Sequence, residues 1–493
     1  MDEPDFHTII VGAGFSGIGT AIQLDRAGLG DYLVVEAGAE PGGTWYWNTY
    51  PGIAVDIPSF SYQFSFEQSA DWSRTYAPGS ELKGYADRCV DKYGLRSRIR
   101  FDTLVTGAAF DDESHCWRID LDSGETLTAR FLVNASGVLT VPNLPDIDGV
   151  EDFAGITMHT ARWDHSQDLA GKRVAIIGTG ASAVQVIPEI APIVERLTVF
   201  QRTPIWCMPK LDVPLPAAAR WAMRIPGGKA IQRLLSQAYV ELTFTISAQY
   251  YTVFPLARRA EKMGRAYLKR QVHDPEVRDK LTPRYAVGCK RPGFHNSYLA
   301  TYNRDNVELV TEPIDEVTGT GVATADGTTR DVDVLILATG FKVMDVDSLP
   351  TFPVTGAGGR SLARFWTEHR LQAYEGVSVP GFPNFFTVMG PYGYVGSSYF
   401  ALIETQTHHI VRCLKKAAAE AATRVEVSSA ANDRFFAEMM RKRHRQIFWQ
   451  DSCALANSYY FDQNGDVPLR PTTTAEAIVR SRRFPLSDYE FSG

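Results

Sequence analysis

Six residues, Gly12-Ala13-Gly14-Phe15-Ser16-Gly17, carry the first recognisable chemistry of the chain. Glycines at this spacing let a backbone turn approach a pyrophosphate, and a helix opening there aims its positive end at the phosphate charge. Glu36 stands 19 positions after Gly17, placed to accept a hydrogen bond from a ribose hydroxyl. The pattern recurs at Gly178-Thr179-Gly180-Ala181-Ser182-Ala183. Gly12 to Glu36 spans 24 positions, and so does Gly178 to Arg202. One slot therefore holds an acid in the first unit and an arginine in the second. A carboxylate repels a ribose 2′-phosphate, whereas a guanidinium binds it through charge-assisted bonds. The first turn is expected to take FAD or NAD, and the second NADP.

Both turns need a strand before them and a helix after. His7 to Val11 and Arg173 to Ile177 are short, β-branched and bounded by glycine, as buried strands are. Ile18–Leu29 and Ser182–Ile190 have helical spacing, and Tyr32–Val35 and Leu197–Gln201 complete two βαβ units. Two further strands end in small-residue turns, at Asn134-Ala135-Ser136-Gly137 and Leu337-Ala338-Thr339-Gly340. They match the closing strands of flavoproteins that bind two dinucleotides. Pro142 and Pro145 mark a linker between the units, and the region from about Thr203 to Cys289 reads as a mostly helical insertion.

Composition removes other classes. With 50 basic and 57 acidic side chains the net charge is −7, which leaves no excess cation for a general nucleic-acid surface. The six cysteines are scattered without a C-x-x-C pair, which argues against a zinc module, a dithiol redox centre or a disulfide scaffold and points to a reducing, cytoplasmic compartment. The opening Met1-Asp2-Glu3-Pro4-Asp5 is acidic where a secretion signal is basic, so secretion is not expected. No run of 18 uncharged apolar residues exists. The nearest, Leu234–Ala257, reads as a buried helix pair interrupted near Pro255, with membrane association the alternative, to which Gln237, Thr243, Thr245, Ser247 and Gln249 are a poor match.

Between the units lies Phe153-Ala154-Gly155-Ile156-Thr157-Met158-His159-Thr160-Ala161-Arg162-Trp163-Asp164, of the form F-x-G-x-x-x-H-x-x-x-W-D. Gly42-Gly43-Thr44-Trp45, Tyr50-Pro51-Gly52 and Asp56 form a second signature, and Gly288-Cys289-Lys290-Arg291-Pro292 with Tyr302 to Val307 a third. With these the chain resembles the Baeyer–Villiger flavin monooxygenases from about Thr8 to Gly390. The resemblance implies an α/β fold of two Rossmann-type dinucleotide-binding domains with a helical insertion. It places FAD on 1–140 and 345–493, NADP on 150–203 and 290–344, and the insertion at 204–289. It also implies an activity: with NADPH and O₂, one oxygen atom is inserted beside a ketone carbonyl through a flavin peroxide, giving an ester or lactone. The alternative is oxygenation of an amine nitrogen or a sulfide sulfur, which Trp163-Asp164 together with Lys290-Arg291 disfavours.

The family's roles fall on definite residues here. Arg291 matches the cation beside the reacting oxygen, and Asp56 its carboxylate partner. A peroxide anion needs such a fixed cation in a dry pocket. Lys290, Arg202 and Thr203 match the 2′-phosphate site. Gly12, Gly14, Ser16, Gly17, Glu36, Thr44, Trp45, Tyr62 and Val105 match positions near FAD. Gly178, Thr179, Gly180, Ala181, Ser182, Ala183 and Gln185 match positions near NADP. His159 invites assignment as a base, but its counterpart lies in the linker, so ordering of domain motion is expected and proton transfer is the alternative. Trp163 is expected to pack. Three departures bear on substrate: Asn48-Thr49-Tyr50-Pro51-Gly52-Ile53-Ala54-Val55-Asp56 lacks two arginines of the family pattern, Ser458-Tyr459-Tyr460 replaces S-W-Y, and the insertion is short. The expected partners are a small-molecule ketone and O₂. Neither the ketone nor the oligomeric state follows from these residues.

Overall fold

A computed structural model describes residues 3–254 and 256–493. Two sheets organise it. In the first, strands Phe6–Val11, Tyr32–Val35 and Ile99–Arg100 run parallel to Thr126–Asn134, which continues antiparallel through Cys116–Leu121 to Val105–Asp111. Val354–Thr355 joins the far edge, and Phe385–Thr387 pairs with Thr126–Asn134. The chain therefore leaves this sheet after residue 134 and returns to it beyond residue 350. The second sheet is all parallel, in the order Val307–Val310, Arg196–Phe200, Arg173–Ile177, Val334–Leu337, Ile156–His159. Strands buried on both faces are continuously apolar, and Ile9, Ile10, Val174 and Ile176 have no exposed surface.

The two βαβ units repeat in detail. Gly12 has φ +105° and Gly178 φ +112°, and both abut the turn that follows a neighbouring strand. A Cβ on Gly12 would lie 2.8 Å from the Ala135 carbonyl oxygen, and one on Gly178 2.5 Å from that of Ala338. This contact with the backbone of the Ala-Ser-Gly and Ala-Thr-Gly turns requires glycine at both positions. The helices start earlier than periodicity predicts, at Phe15 and Ala181, because each is capped by a glycine, Gly14 or Gly180, that makes no side-chain capping bond. Their first N–H groups therefore lack a protein partner of the usual capping kind and face the turn.

Two expectations are corrected. Cys289 and Cys453, 164 residues apart, form a disulfide with both sulfurs buried, while Cys89, Cys116, Cys207 and Cys413 are free and buried. Sequence spacing conceals the pair because the fold, not a local motif, brings the two together. The segment Leu234–Ala257 does break between two helices, one ending at Gln249 and the next starting at Ala257, but it is not buried as expected. Helix Gly228–Val240 continues through a π-helical turn, Glu241–Ile246, and Leu234, Leu235 and Leu242 lie 69%, 62% and 52% exposed. Pro255, where the interruption was placed, lies outside the described residues. Among those residues no helix is long and apolar enough to cross a membrane, and no cluster of metal-ligating side chains occurs.

Candidate active site between two nucleotide turns

One chamber of about 1440 Å³ lies where the two turns face each other. Its wall contains Gly12, Gly14, Ser16, Glu36, Thr44, Trp45, Asp56, Tyr62 and Val105 from the first side. From the second come Gly178, Thr179, Gly180, Ala181, Ser182, Gln185, Arg202, Thr203, Lys290 and Arg291. Gly17, Ala183, His159 and Trp163 stand outside it. Gly17 packs helix against strand so closely that a Cβ would lie 1.8 Å from the Gly12 carbonyl oxygen, and Ala183 is wholly buried in the core.

The first half is an adenosine-type cradle. Glu36 accepts the Ala13 N–H at 2.6 Å and the Gly38 N–H at 2.8 Å. Burial pushes its carboxyl above the usual range, and the two N–H bonds oppose that rise. Gly43, at φ +55°, lies against the first turn, where a Cβ would come within 2.9 Å of the Gly14 Cα. That close approach explains the paired glycines of Gly42-Gly43-Thr44-Trp45. Trp45 donates its indole N–H to the Tyr62 hydroxyl at 3.2 Å, so its ring presents a face to the chamber without a free donor.

In the second half Thr179 donates its hydroxyl to the Thr203 carbonyl at 3.1 Å, closing the turn on the segment after strand Arg196–Phe200 that carries Arg202. Arg202 and Lys290 make no ion pair with a carboxylate among the described residues. Burial, followed by the Arg202 charge, lowers Lys290 to about 8. Two uncompensated cations at one edge of a nucleotide turn fit a 2′-phosphate. The Asn457 amide, oriented by its neighbours, accepts from the Arg202 Nε at 2.6 Å and also from its terminal nitrogen. The capless helix starts as donors, Glu36 as acceptor and the free cation pair thus fit FAD on the first turn and NADP on the second.

Between the halves, Arg291 donates from Nε to Asp56 at 2.6 Å and from a terminal nitrogen at 2.7 Å, a bidentate pair. Burial pushes the Asp56 carboxyl up, but the Arg291 charge and its bonds outweigh it and hold Asp56 below the usual range. Burial opposes the charge on Arg291 too, and Asp56 more than restores it, so the guanidinium stays fully charged. Its other terminal nitrogen reaches the Tyr394 hydroxyl at 3.4 Å, and its carbon lies 5.6 Å from the Phe244 ring centre. Tyr62, Phe294, Tyr394, Tyr399, Tyr459 and Tyr460 also line the chamber.

Gln185 has a second task. It accepts from the Tyr50 hydroxyl at 3.1 Å and donates to the Ala54 carbonyl at 2.8 Å, joining the Asp56 segment to the second nucleotide helix. His159 accepts the Ala161 N–H on Nδ1 at 3.0 Å, so the ring proton is assigned to Nε2, which faces the Thr339 hydroxyl at 3.3 Å. Thr339 in turn donates to the Asn143 carbonyl in the linker. Burial lowers His159 to about 4, with Arg162 adding to the effect. Trp163 is half-buried and packs on the second core, with no polar role. Tyr394, Phe244 and Asn457 escaped the sequence reading. They lie in unpatterned loops or the insertion, and no local spacing marks them.

Fold and site together define a two-dinucleotide flavoprotein with a buried cation between its cofactors. The family described as pyridine nucleotide-disulphide oxidoreductase matches residues 9–215, which span both glycine turns. A Baeyer–Villiger monooxygenase of Streptomyces coelicolor is 38% identical over 98% of this chain and 92% of its own length. One of Pseudomonas aeruginosa is 35% identical over 98% and 91%. The solved structure of OTEMO with FAD and NADP matches over 100% of both chains at 30% identity and a TM-score of 0.89. The chain belongs to the Baeyer–Villiger monooxygenase family.

Proposed function

We propose that the protein uses FAD, NADPH and O₂ to insert one oxygen atom beside the carbonyl of an apolar ketone, giving an ester or lactone. When bound, FAD accepts the hydride of NADPH and activates O₂. The chain's own residues do the rest. Arg291 holds a fixed positive charge at the chamber wall, where negative charge develops on the transferred oxygen, and Asp56 orients it bidentately. Aromatic walls thin out water, which strengthens that charge. Arg202, Lys290 and Thr203 select the 2′-phosphate of NADPH, and Glu36 accepts from the FAD ribose. Ser16 would lie at the pyrophosphate, Trp45 against the flavin, and Thr44, Tyr62 and Val105 near FAD. Gly178, Thr179, Gly180, Ala181, Ser182 and Gln185 border NADP. His159 links strand, closing turn and linker, and thereby couples the two cofactor domains.

We divide the chain into an FAD domain of 1–140 and 345–493, an NADP domain of 150–203 and 290–344, and the insertion 204–289. We place the enzyme in the cytoplasm, where NADPH is made. There the Cys289–Cys453 bond is shielded from thiols by burial at both ends. The observation that carries the functional reading is the Asp56–Arg291 pair, set between an acid-bearing and an arginine-bearing nucleotide turn. Its test is a panel of cyclic, linear, aromatic and steroid ketones, with sulfides and amines included, scored by product mass. Ester or lactone products are expected, and exclusive sulfoxide or N-oxide formation would overturn the reading.

A further inference from the structure

The insertion's central helix is built inside out. Along Gly228–Ile246 most side chains that face the protein are polar, with Val240 and Phe244 the apolar ones that pack inward. Ser236 bonds Ser61 at 2.9 Å, Gln237 donates to Ser397 at 2.8 Å, Arg233 donates to the Gln63 carbonyl at 2.6 Å, and Thr245 has no exposed surface. Four other apolar side chains face out. Ile231, Leu234, Leu235 and Leu242 are 62%, 69%, 62% and 52% exposed, and their spacing of three, four and eleven puts them in one stripe. Trp221, on the preceding helix, and Val253 and Phe254, just past its end, add 66%, 55% and 54% exposure. An apolar stripe of this length is more than the scattered hydrophobic residues of an ordinary surface.

Charge identifies what would cover it. Residues 217–271 carry ten Lys or Arg and two Glu, a net +8 in a chain whose total is −7. The exposed Arg258, Arg259 and Lys262 lie four, five and eight positions after Phe254. A two-fold dimer through this face would bring two +8 segments together, which like-charge repulsion opposes. A bilayer with anionic headgroups satisfies both features at once, because acyl chains take the leucines and phosphates take the cations. We propose that the insertion docks in-plane on an anionic lipid surface. No described helix is long and apolar enough to span a bilayer, and the stripe along one helix face suits an in-plane association. The same helical run presents Phe244 to Arg291, which sets the lipid surface one helix away from the chamber. The docking claim stands independently of the substrate.

The test uses the full-length, FAD-loaded protein and phosphatidylcholine vesicles with or without phosphatidylglycerol, read by co-sedimentation. The protein should bind the phosphatidylglycerol vesicles and release in part at high salt. Leu234→Glu/Leu235→Glu should weaken binding about tenfold or more while FAD content and NADPH oxidation stay unchanged. Arg258→Gln/Arg259→Gln should reduce the preference for phosphatidylglycerol over phosphatidylcholine. No binding to anionic vesicles, or equal binding by wild type and the Leu234→Glu/Leu235→Glu variant, would overturn the proposal. So would a concentration-dependent dimer, seen by light scattering and abolished by the same variant without any vesicle binding. That outcome would assign the stripe to a second copy of the chain.

Discussion

Replacing Arg291 by alanine separates cofactor reduction from oxygen transfer. Arg291 is 20% exposed and Asp56 28%, and two bonds of 2.6 and 2.7 Å join them, so the guanidinium acts in a partly desolvated setting. Losing one preorganised donor to a developing oxyanion costs about 2.7–4 kcal/mol, or roughly 10²–10³ in rate. The substitution also leaves the part-buried Asp56 carboxylate without its cation, which lowers folding stability by less than the about 3–5 kcal/mol of a fully buried pair. These two effects need separate readouts. Arg291→Ala should keep FAD and still oxidise NADPH, with hydrogen peroxide released in place of ester and a lowered Tm. Asp56→Ala/Arg291→Ala removes both charges, so it should regain much of the stability and none of the ester. Rapid-mixing absorbance on the NADPH-reduced enzyme, with product mass and hydrogen peroxide measured alongside, reads all of these. A normal ester yield per NADPH in Arg291→Ala would refute the placement of this charge at the reacting oxygen.

Arg202→Ala should narrow the preference for NADPH over NADH by about ten- to a hundredfold, seen in the two KM values, since a charged hydrogen-bond partner contributes about 1.5–3 kcal/mol. Lys290, at about 8 in the free protein, loses its charge as pH rises through that value, so the KM for NADPH should climb above about pH 8; Lys290→Ala should show a higher KM without that climb. Burial holds His159 at about 4 against an ordinary 6.5, so the unfolded chain binds this proton first as pH falls from 6.5 toward 4, and stability declines across that window. His159→Gln should flatten the decline in chemical denaturation and slow turnover modestly with its pH optimum unmoved; loss of one limb of the pH–rate profile would instead make His159 a catalytic acid or base. Cys453→Ala should lower stability by about 2–5 kcal/mol and raise the KM for NADPH, because Asn457, four residues on, is then less firmly held against Arg202.

The nucleotide-binding units were legible in sequence because their physics is local. A β-branched strand, a glycine that must adopt positive φ and a helix start occupy consecutive positions. The 24-residue spacing then fixes Glu36 and Arg202 in equivalent slots. The Asp56–Arg291 pair, 235 residues apart, was reachable only through the family resemblance, and the structure shows its bidentate geometry. What stayed hidden depends on distant segments meeting. The Cys289–Cys453 bond, the Tyr394 hydroxyl beside Arg291 and the Asn457 clasp on Arg202 have no periodic signature. The insertion was misread for a different reason. Hydrophobic periodicity reports which face of a helix is apolar, but it does not say whether protein, lipid or water lies against that face.

The central claim is oxygen insertion into a ketone coupled to NADPH. It is tested most directly by one reaction: purified FAD-loaded protein, NADPH, a ketone that the panel identifies and isotopically labelled O₂, with product and NADPH both quantified. The expected product is an ester or lactone that carries a single labelled oxygen, formed in proportion to the NADPH oxidised. NADPH oxidation that yields only labelled hydrogen peroxide with every ketone tried, or ester whose inserted oxygen is unlabelled, would contradict it.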